Sequence, residues 1–391
     1  MRYSLRRSVC IVTASVGFIL ARPAFAENYV TPTEKVPLAQ WPFFTDDLNF
    51  KGIKTVISRQ LQRFGTVDFQ GTIQYGQDQY PLVKVRDSLV EFLSIIENYK
   101  ACPESNGTEC INWLNAELRK KFVLYRPHLE PGDPHYGEAD PAFFTAYYTP
   151  RMTVSKTRTG IYQHGIYSLP ADENLRHLSR DQIDFHGALE NKGLDLFYGS
   201  DLFNLYLLQV EGGGHMLVKT GDQVQSQYIS YAGQNGLPFR FIVTYMLKKG
   251  WITSESIDAQ RRFLNAHPEL QEQIYSTCPA YVFYQLSNTP PVGCEGVVLT
   301  DNRSLATDLS YYRFKGGLSF VSSSRPVDKP VAAADDNRPF KAFSRFYLDQ
   351  DTGGAIRGKA RADLYFGEGA YAEYASYNEA ERGDIYFLML K

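Results

Sequence analysis

Histidine and cysteine are scarce in this chain, at 7 and 5 among 391 residues. The histidines are scattered without an H-E-x-x-H pair, and no two cysteines stand in C-x-x-C spacing. Both facts argue against a zinc centre, and neither a metal nor a cofactor is expected. Neither sign of charge is in excess: 41 Lys plus Arg against 43 Asp plus Glu give a formal net charge of −2. No electrostatic footprint for nucleic acid is present. Beyond the first residues no run approaches the ~20 apolar positions of a spanning helix, so no transmembrane segment is expected. Tryptophan is rare, at 3, while tyrosine and phenylalanine are plentiful, at 27 and 25. Tyrosine-rich surfaces bind sugars or peptides, and core or strand packing accounts for the same residues equally well.

Residues 1–26 have the pattern of an export signal: Arg2, Arg6 and Arg7, a mostly apolar Val9–Leu20, and Ala24-Phe25-Ala26 as an A-x-A cleavage site. Cys10 lies near the start of the apolar run rather than at the cleavage point, so no lipobox cysteine is seen. The mature chain is expected to be exported and periplasmic, by the Sec or the twin-arginine route, starting at Glu27. In such a compartment the four remaining cysteines suggest disulfides. Three connectivities exist in principle. The two local pairs, Cys102 with Cys110 and Cys278 with Cys294, are expected because each closes a short loop.

After a start expected to be disordered, helices are predicted over Leu48–Phe64, which Gly65 stops, and Asp87–Tyr99. A third has Ile111, Leu114, Leu118 and Phe122 at helical spacing. From Ala142 the character turns to strands: Phe143–Pro150, Gly165–Leu169, Phe203–Val210 and Gln227–Tyr231. Helical character returns over Phe239–Lys248, Ser254–Asn265 and Glu269–Tyr275. Strands follow at Ala280–Leu286, Val297–Thr300, Ser304–Leu309, Leu318–Val321, Phe343–Leu348 and Asp384–Leu390, with a polar loop over Pro326–Pro339. No internal repeat is present. Many short strands with a few helices predict a mainly β, barrel-like architecture with helices attached.

Two stretches stand out chemically. Gly212-Gly213-Gly214, after Gln209, implies a tight turn or a backbone pressed against a ligand. Asp351-Thr352-Gly353-Gly354-Ala355-Ile356-Arg357-Gly358, followed by Lys359-Ala360-Arg361-Ala362-Asp363, places two carboxylates around a glycine-rich, cationic loop. A carboxyl shielded from water there can hold a proton near neutral pH and donate it to a glycosidic oxygen. A turn with solvated charges is the plain alternative.

Six ordered segments resemble the membrane-bound lytic murein transglycosylase A (MltA) family. Tyr147-Tyr148-Thr149-Pro150, preceded by Ala146 in place of glycine, matches its G-Y-Y-x-P strand end, and Gln209–Gly214 its Q-V-x-G-x-G segment. Tyr231–Phe239 matches Y-A-G-x-N-G-x-x-[YF], and Pro279–Phe283 matches P-x-[YF]-V-F. Arg303–Asp308 matches R-S-[LI]-A-x-D, and Asp351–Asp363 the D-T-G-G-A-I-x-G…R-A-D block. The resemblance covers roughly residues 120–391. It implies a double-psi β-barrel domain from residues 27–150 and 276–391, whose part from about 295 is the three-aspartate (3D) domain. A smaller β-domain, residues 151–275, is inserted, and a glycan groove lies between the two.

The resemblance further implies cleavage of the β-1,4 bond between N-acetylmuramic acid and N-acetylglucosamine in peptidoglycan, with closure of a 1,6-anhydro ring. Asp363 is the implied acid and then base, with Asp351 and Asp308 in support. The expected sugar contacts are Tyr147, Tyr148, Thr149, Gln209, Gly212, Gly214, Asn235, Gly353, Gly354 and Arg361. Peptidoglycan strands are the implied partner; no protein partner is named by it. Two other readings stand beside it, a non-catalytic glycan-binding protein and a hydrolytic glycosidase on the same substrate. An aspartic protease needs two carboxylates sharing a proton, normally from two Asp-Thr-Gly loops, and this chain has one.

Overall fold

The structure, a computed structural model, describes residues 27–103, 107–327, 339–354 and 356–391. The expected export signal, Cys10, Ala355 and most of the Pro326–Pro339 loop lie outside them. The chain is mainly β, with helices attached. The described residues divide into two compact units: those up to Tyr147 with those of Val292–Gly367 and Tyr374–Lys391, and Tyr148–Pro291 with Glu368–Glu373.

The strands in chain order are β1 Glu27–Thr31, β2 Thr33–Lys35, β3 Gly71–Tyr75, β4 Asp78–Pro81, β5 Phe122–Pro127 and β6 Ala142–Thr149. They continue with β7 Arg151–Ser155, β8 His164–Tyr167, β9 Asp195–Gly199, β10 Gly213–Thr220, β11 Gln223–Gln234 and β12 Val282–Ser287. The last are β13 Ser304–Thr307, β14 Leu318–Pro326, β15 Phe340–Asp351, β16 Arg361–Glu368 and β17 Ala380–Leu390.

In the first unit the order β14-β15-β13-β16-β6-β17 closes on itself through a β14–β17 pairing, and β5 and β2 extend the sheet beyond β17. Closure leaves these six strands without an open edge. β17 serves three neighbours along its length: Ala380–Gly383 pair with β6, Gly383–Leu388 with β14, and Phe387–Leu390 with β5. The helices Ile53–Phe64 and Val83–Lys100 contribute Val56, Ile57, Leu89, Phe92 and Ile96 to one core with Phe320, Phe346 and Leu388 of the barrel. The ring of Phe346 lies 4.6 Å from that of Phe92. In the second unit a six-stranded sheet, order β12-β11-β10-β7-β9-β8, packs its own core of Val154, Ile166, Phe197, Met216, Val218 and Ile229.

Several expectations change. The start is ordered: β1 pairs in parallel with β3, and Phe44 is fully buried. Asp46 and Asp47 pair with Arg303 and Arg345 of the barrel, at 2.6 and 2.5 Å. Phe203–Val210 is not a strand but the helix Leu202–Glu211. Asp201 caps it by accepting from Asn204 N at 2.7 Å, and Gly212 ends it at φ 79°. A continuous apolar run fits a buried helix or a buried strand equally, and here the caps decided. Phe122 opens β5 instead of closing a helix, and Val297–Thr300 forms only an isolated bridge through Val298. Cys102 and Cys110 are disulfide-bonded, with Cα atoms 6.2 Å apart. The expected Cys278–Cys294 bond is absent: Cys278 is a buried free thiol and Cys294 an exposed one. Cys294 is held elsewhere, its backbone N–H donating to Asp351.

Candidate active site

Three barrel strands create the carboxyl cluster of the first unit. Ala306 of β13 is in register with Asp351 at the end of β15 on one side and with Asp363 of β16 on the other. With strands ~4.8 Å apart, the two aspartates sit roughly 10 Å apart across one intervening strand. Tyr147 of β6 reaches Asp351, its hydroxyl donating to Oδ2 at 3.0 Å. Asp351 Oδ1 accepts from Thr352 N at 2.9 Å and Cys294 N at 3.1 Å. Burial nevertheless pushes the Asp351 carboxyl up to about 6. The Tyr147 hydroxyl is also driven well above its ordinary range, first by burial and then by the charge of Asp351.

Asp363 keeps a side chain 19% exposed, enough to meet a ligand. Thr145 of β6 donates to its Oδ1, and Arg361 lies 3.9 Å from the same oxygen. The Arg361 guanidinium also bonds Thr145 Oγ1 and lies over the Phe143 ring at 5.2 Å. Asp308 is spent differently. Its side chain is 2% exposed, Oδ2 accepts from Gly358 N at 2.9 Å, and Oδ1 accepts from Ser310 N at 3.0 Å. Burial pushes this carboxyl up, but the Ser310 and Gly358 donors outweigh it and hold it below the usual range. Asp308 therefore clamps the glycine-rich loop, at the point where Gly358 takes φ 119°. Gly353 and Gly354 are half-buried in that loop, where Gly353 O accepts from Ile356 N at 3.0 Å.

The remaining expected contacts belong to the second unit. Tyr148 and Thr149 are buried at the end of β6. Gln209 is buried, its Oε1 accepting from Arg180 at 2.6 Å. Asn235 is fully buried. It donates to Leu178 O and Pro279 O at 2.9 and 2.8 Å and accepts from Tyr281 N at 2.9 Å. These bonds occupy both ends of its amide with protein partners. Gly212 is a helix cap, and a Cβ on Gly214 would lie 2.6 Å from Leu208 and 2.9 Å from Pro150 O. Its smallness thus serves packing within the protein.

Sequence reading missed Thr145, although it stands two residues before Tyr147 and so shares its face of β6. It also missed Glu379, 1% exposed with neither carboxylate oxygen hydrogen-bonded among the described residues. Burial, with Glu381 and Asp363 among the nearby charges, pushes Glu379 up to about 9.

Comparison with known proteins places the chain. The MltA-specific insert domain matches residues 143–285, and the 3D domain matches residues 303–389. The membrane-bound lytic murein transglycosylase A of Escherichia coli K12 is 30% identical over 270 residues, 66% of this chain and 69% of that protein. Two solved structures share the fold. E. coli MltA with bound chitohexaose has a TM-score of 0.68 at 20% identity, covering 95% of this chain and 98% of that one. Lytic transglycosylase LtgG of Burkholderia pseudomallei has a TM-score of 0.61 at 21% identity, covering 92% and 96%. The protein is thus an enzyme of the peptidoglycan lytic transglycosylase class. It belongs to the membrane-bound lytic murein transglycosylase A family.

Proposed function

We propose that Asp363 is the single general acid and base of the reaction. It protonates the oxygen leaving the muramic acid C1. As a carboxylate it then takes the proton from that sugar's own O6, which closes on C1 to give a 1,6-anhydro end. The tethered hydroxyl replaces water as nucleophile and converts a bimolecular step into an intramolecular one. The observation that carries this reading is the division of labour among the three aspartates. Asp308 is consumed in clamping the loop and Asp351 is engaged on both oxygens by three donors, whereas the contacts of Asp363 with Thr145 and Arg361 both fall on Oδ1. We assign Oδ2 to the substrate. Tyr147, Arg361, Gly353 and Gly354 are the proposed sugar contacts of this unit. The chitohexaose in the E. coli relative supports a glycan as ligand.

A second reading has Asp351 as the proton holder, favoured by its carboxyl being pushed up to about 6. Asp363→Asn and Asp351→Asn separate the two. The first is expected to lower turnover ~10²–10⁴-fold with glycan binding kept, and the second to act more mildly. The reverse order transfers the role to Asp351. Mass spectrometry of fragments released from purified sacculi in heavy-oxygen water should show anhydro ends without label. Label at C1 would mean a hydrolase. The protein is proposed to act outside the cytoplasm, as the signal-like start and the membrane-bound relatives suggest. No helix among the described residues is long and apolar enough to cross a membrane.

A further inference from the structure

The second unit holds an array that the glycan reaction does not use. His215 of β10 contacts Ser226 Oγ of β11 through Nε2 at 2.5 Å, and Glu368 Oε2 through Nδ1 at 2.8 Å. The His215 side chain is 10% exposed and its ring stacks on Tyr228 at 4.4 Å, 25° between planes, so its orientation is set by packing as well as by the carboxylate. Ser226 is exposed. The hairpin explains the meeting. His215 is in register with Tyr228, and Ser226 lies two residues before it on the same face, a diagonal cross-strand neighbour.

We propose that Ser226, His215 and Glu368 form a second, acyl-transfer site that hydrolyses small esters of alcohols. With the proton on Nδ1 donated to Glu368, Nε2 is the acceptor for the Ser226 hydroxyl, which is the order of a nucleophile, its base and the group that orients the base. A fourth element comes from register. Gly221-Asp222 is a two-residue turn closed by Thr220 and Gln223. Alternation from that closing pair makes Leu217–Ser226 a non-hydrogen-bonded pair. The Ser226 N–H therefore points away from β10, on the side where β12 pairs no further toward the turn than Tyr228. A nucleophile's own amide in that position donates to the developing oxyanion. Ser226 stands on an open strand face, so the acyl group is expected to be acetyl-sized.

In the reaction Ser226 Oγ bonds to the ester carbonyl carbon as its proton passes to His215 Nε2. The carbon–oxygen bond to the alcohol breaks, and the alcohol leaves with that proton. Water then attacks the acyl-serine, its proton passing to Nε2 and then to Oγ as the acid departs. The sum is ester plus water to acid plus alcohol, with no redox change. Glu368 acts as a positioning residue.

The test uses the full chain with p-nitrophenyl acetate and with a fluorophosphonate probe. Wild type is expected to turn over the ester and to carry one phosphonyl group, mapped to Ser226 by peptide mass spectrometry. Ser226→Ala should abolish labelling and lower ester turnover at least about a hundredfold, and His215→Ala should do the same. Glu368→Gln should lower turnover while leaving ester KM unchanged. Thermal melts within a degree or two of wild type verify that the variants are folded. Ser226→Ala turning over the ester at the wild-type rate, or a probe adduct absent from Ser226 in wild type, overturns the proposal. Neither result bears on Asp363, because the readouts involve no glycan.

Discussion

Asp351 accepts from Thr352 N, Tyr147 Oη and Cys294 N, and its carboxyl still lies at about 6 against an ordinary 3.8, because burial penalises the charged form more than these donors favour it. Its folded pKa is raised, so the native state binds this proton more tightly than the unfolded chain does. The associated stability is fully present below about pH 4 and is lost as pH rises through 6. Asp351→Asn should flatten that part of the melting-temperature-versus-pH curve. Glu379 repeats the argument further up the scale, its carboxyl moving from 4.5 to about 9. Here the contribution is present below about pH 4.5 and lost through pH 9. Glu379→Gln should therefore raise the melting temperature relative to wild type more at pH 9 than at pH 5. Equal differences at both pH values would mean that the carboxyl is already ionised at pH 5. The free thiols give a simpler reading. Among the described cysteines, Cys294 is exposed, yet burial around its sulfur pushes the thiol up to about 12. It should therefore react only slowly with a thiol reagent in the native protein and Cys278 not at all, both reacting readily after denaturation.

At the scale of elements, the Cys102–Cys110 bond spans a separation of 8 residues between the helices Val83–Lys100 and Gly107–Lys121. Reducing it should lower stability by about 2–3 kcal/mol, read as a shift in the denaturant midpoint with and without reductant. Barrel closure is more demanding. Gly383 pairs with Ser323 of β14, and a Cβ there would lie 2.1 Å from Ser322 O, a backbone atom that cannot swing aside. Gly383→Ala should cost about 1–3 kcal/mol or more, visible in the same denaturant titration. The helical spacing within Val83–Lys100 is legible in the sequence over Asp87–Tyr99, whereas the apolar run Phe203–Val210 fits a strand and a buried helix equally. Leu202–Glu211 became a helix because Asp201 and Gly212 close its two ends.

At the scale of the molecule, the first unit joins segments from both ends of the chain. Arg303, fully buried, holds Asp46 through Nη1 and Nη2 at 2.6 and 2.8 Å. Removing one partner of such a buried pair leaves an uncompensated charge. A chain beginning at Ile53 should consequently fail to fold, with loss of the cooperative melt. The same chain lengthened back to Glu27 should recover it.

The motif order by itself determined the family, the mainly β class and the three aspartates as one group. The spacing of Asp351 and Asp363 around a glycine-rich loop is local, so it survives in a linear string. Only the tertiary structure decided what each aspartate does. Asp308 became a loop clamp because Gly358, 50 residues away, donates to it. Asp351 gained the backbone N–H of Cys294, 57 residues away, and Cys294 and Cys278 both stayed free thiols. Thr145 came to Asp363 from 218 residues upstream. These partners are set by which strands lie side by side in a closed barrel, and burial, which sets the proton affinity of Asp351 and Glu379, exists only once that barrel has closed.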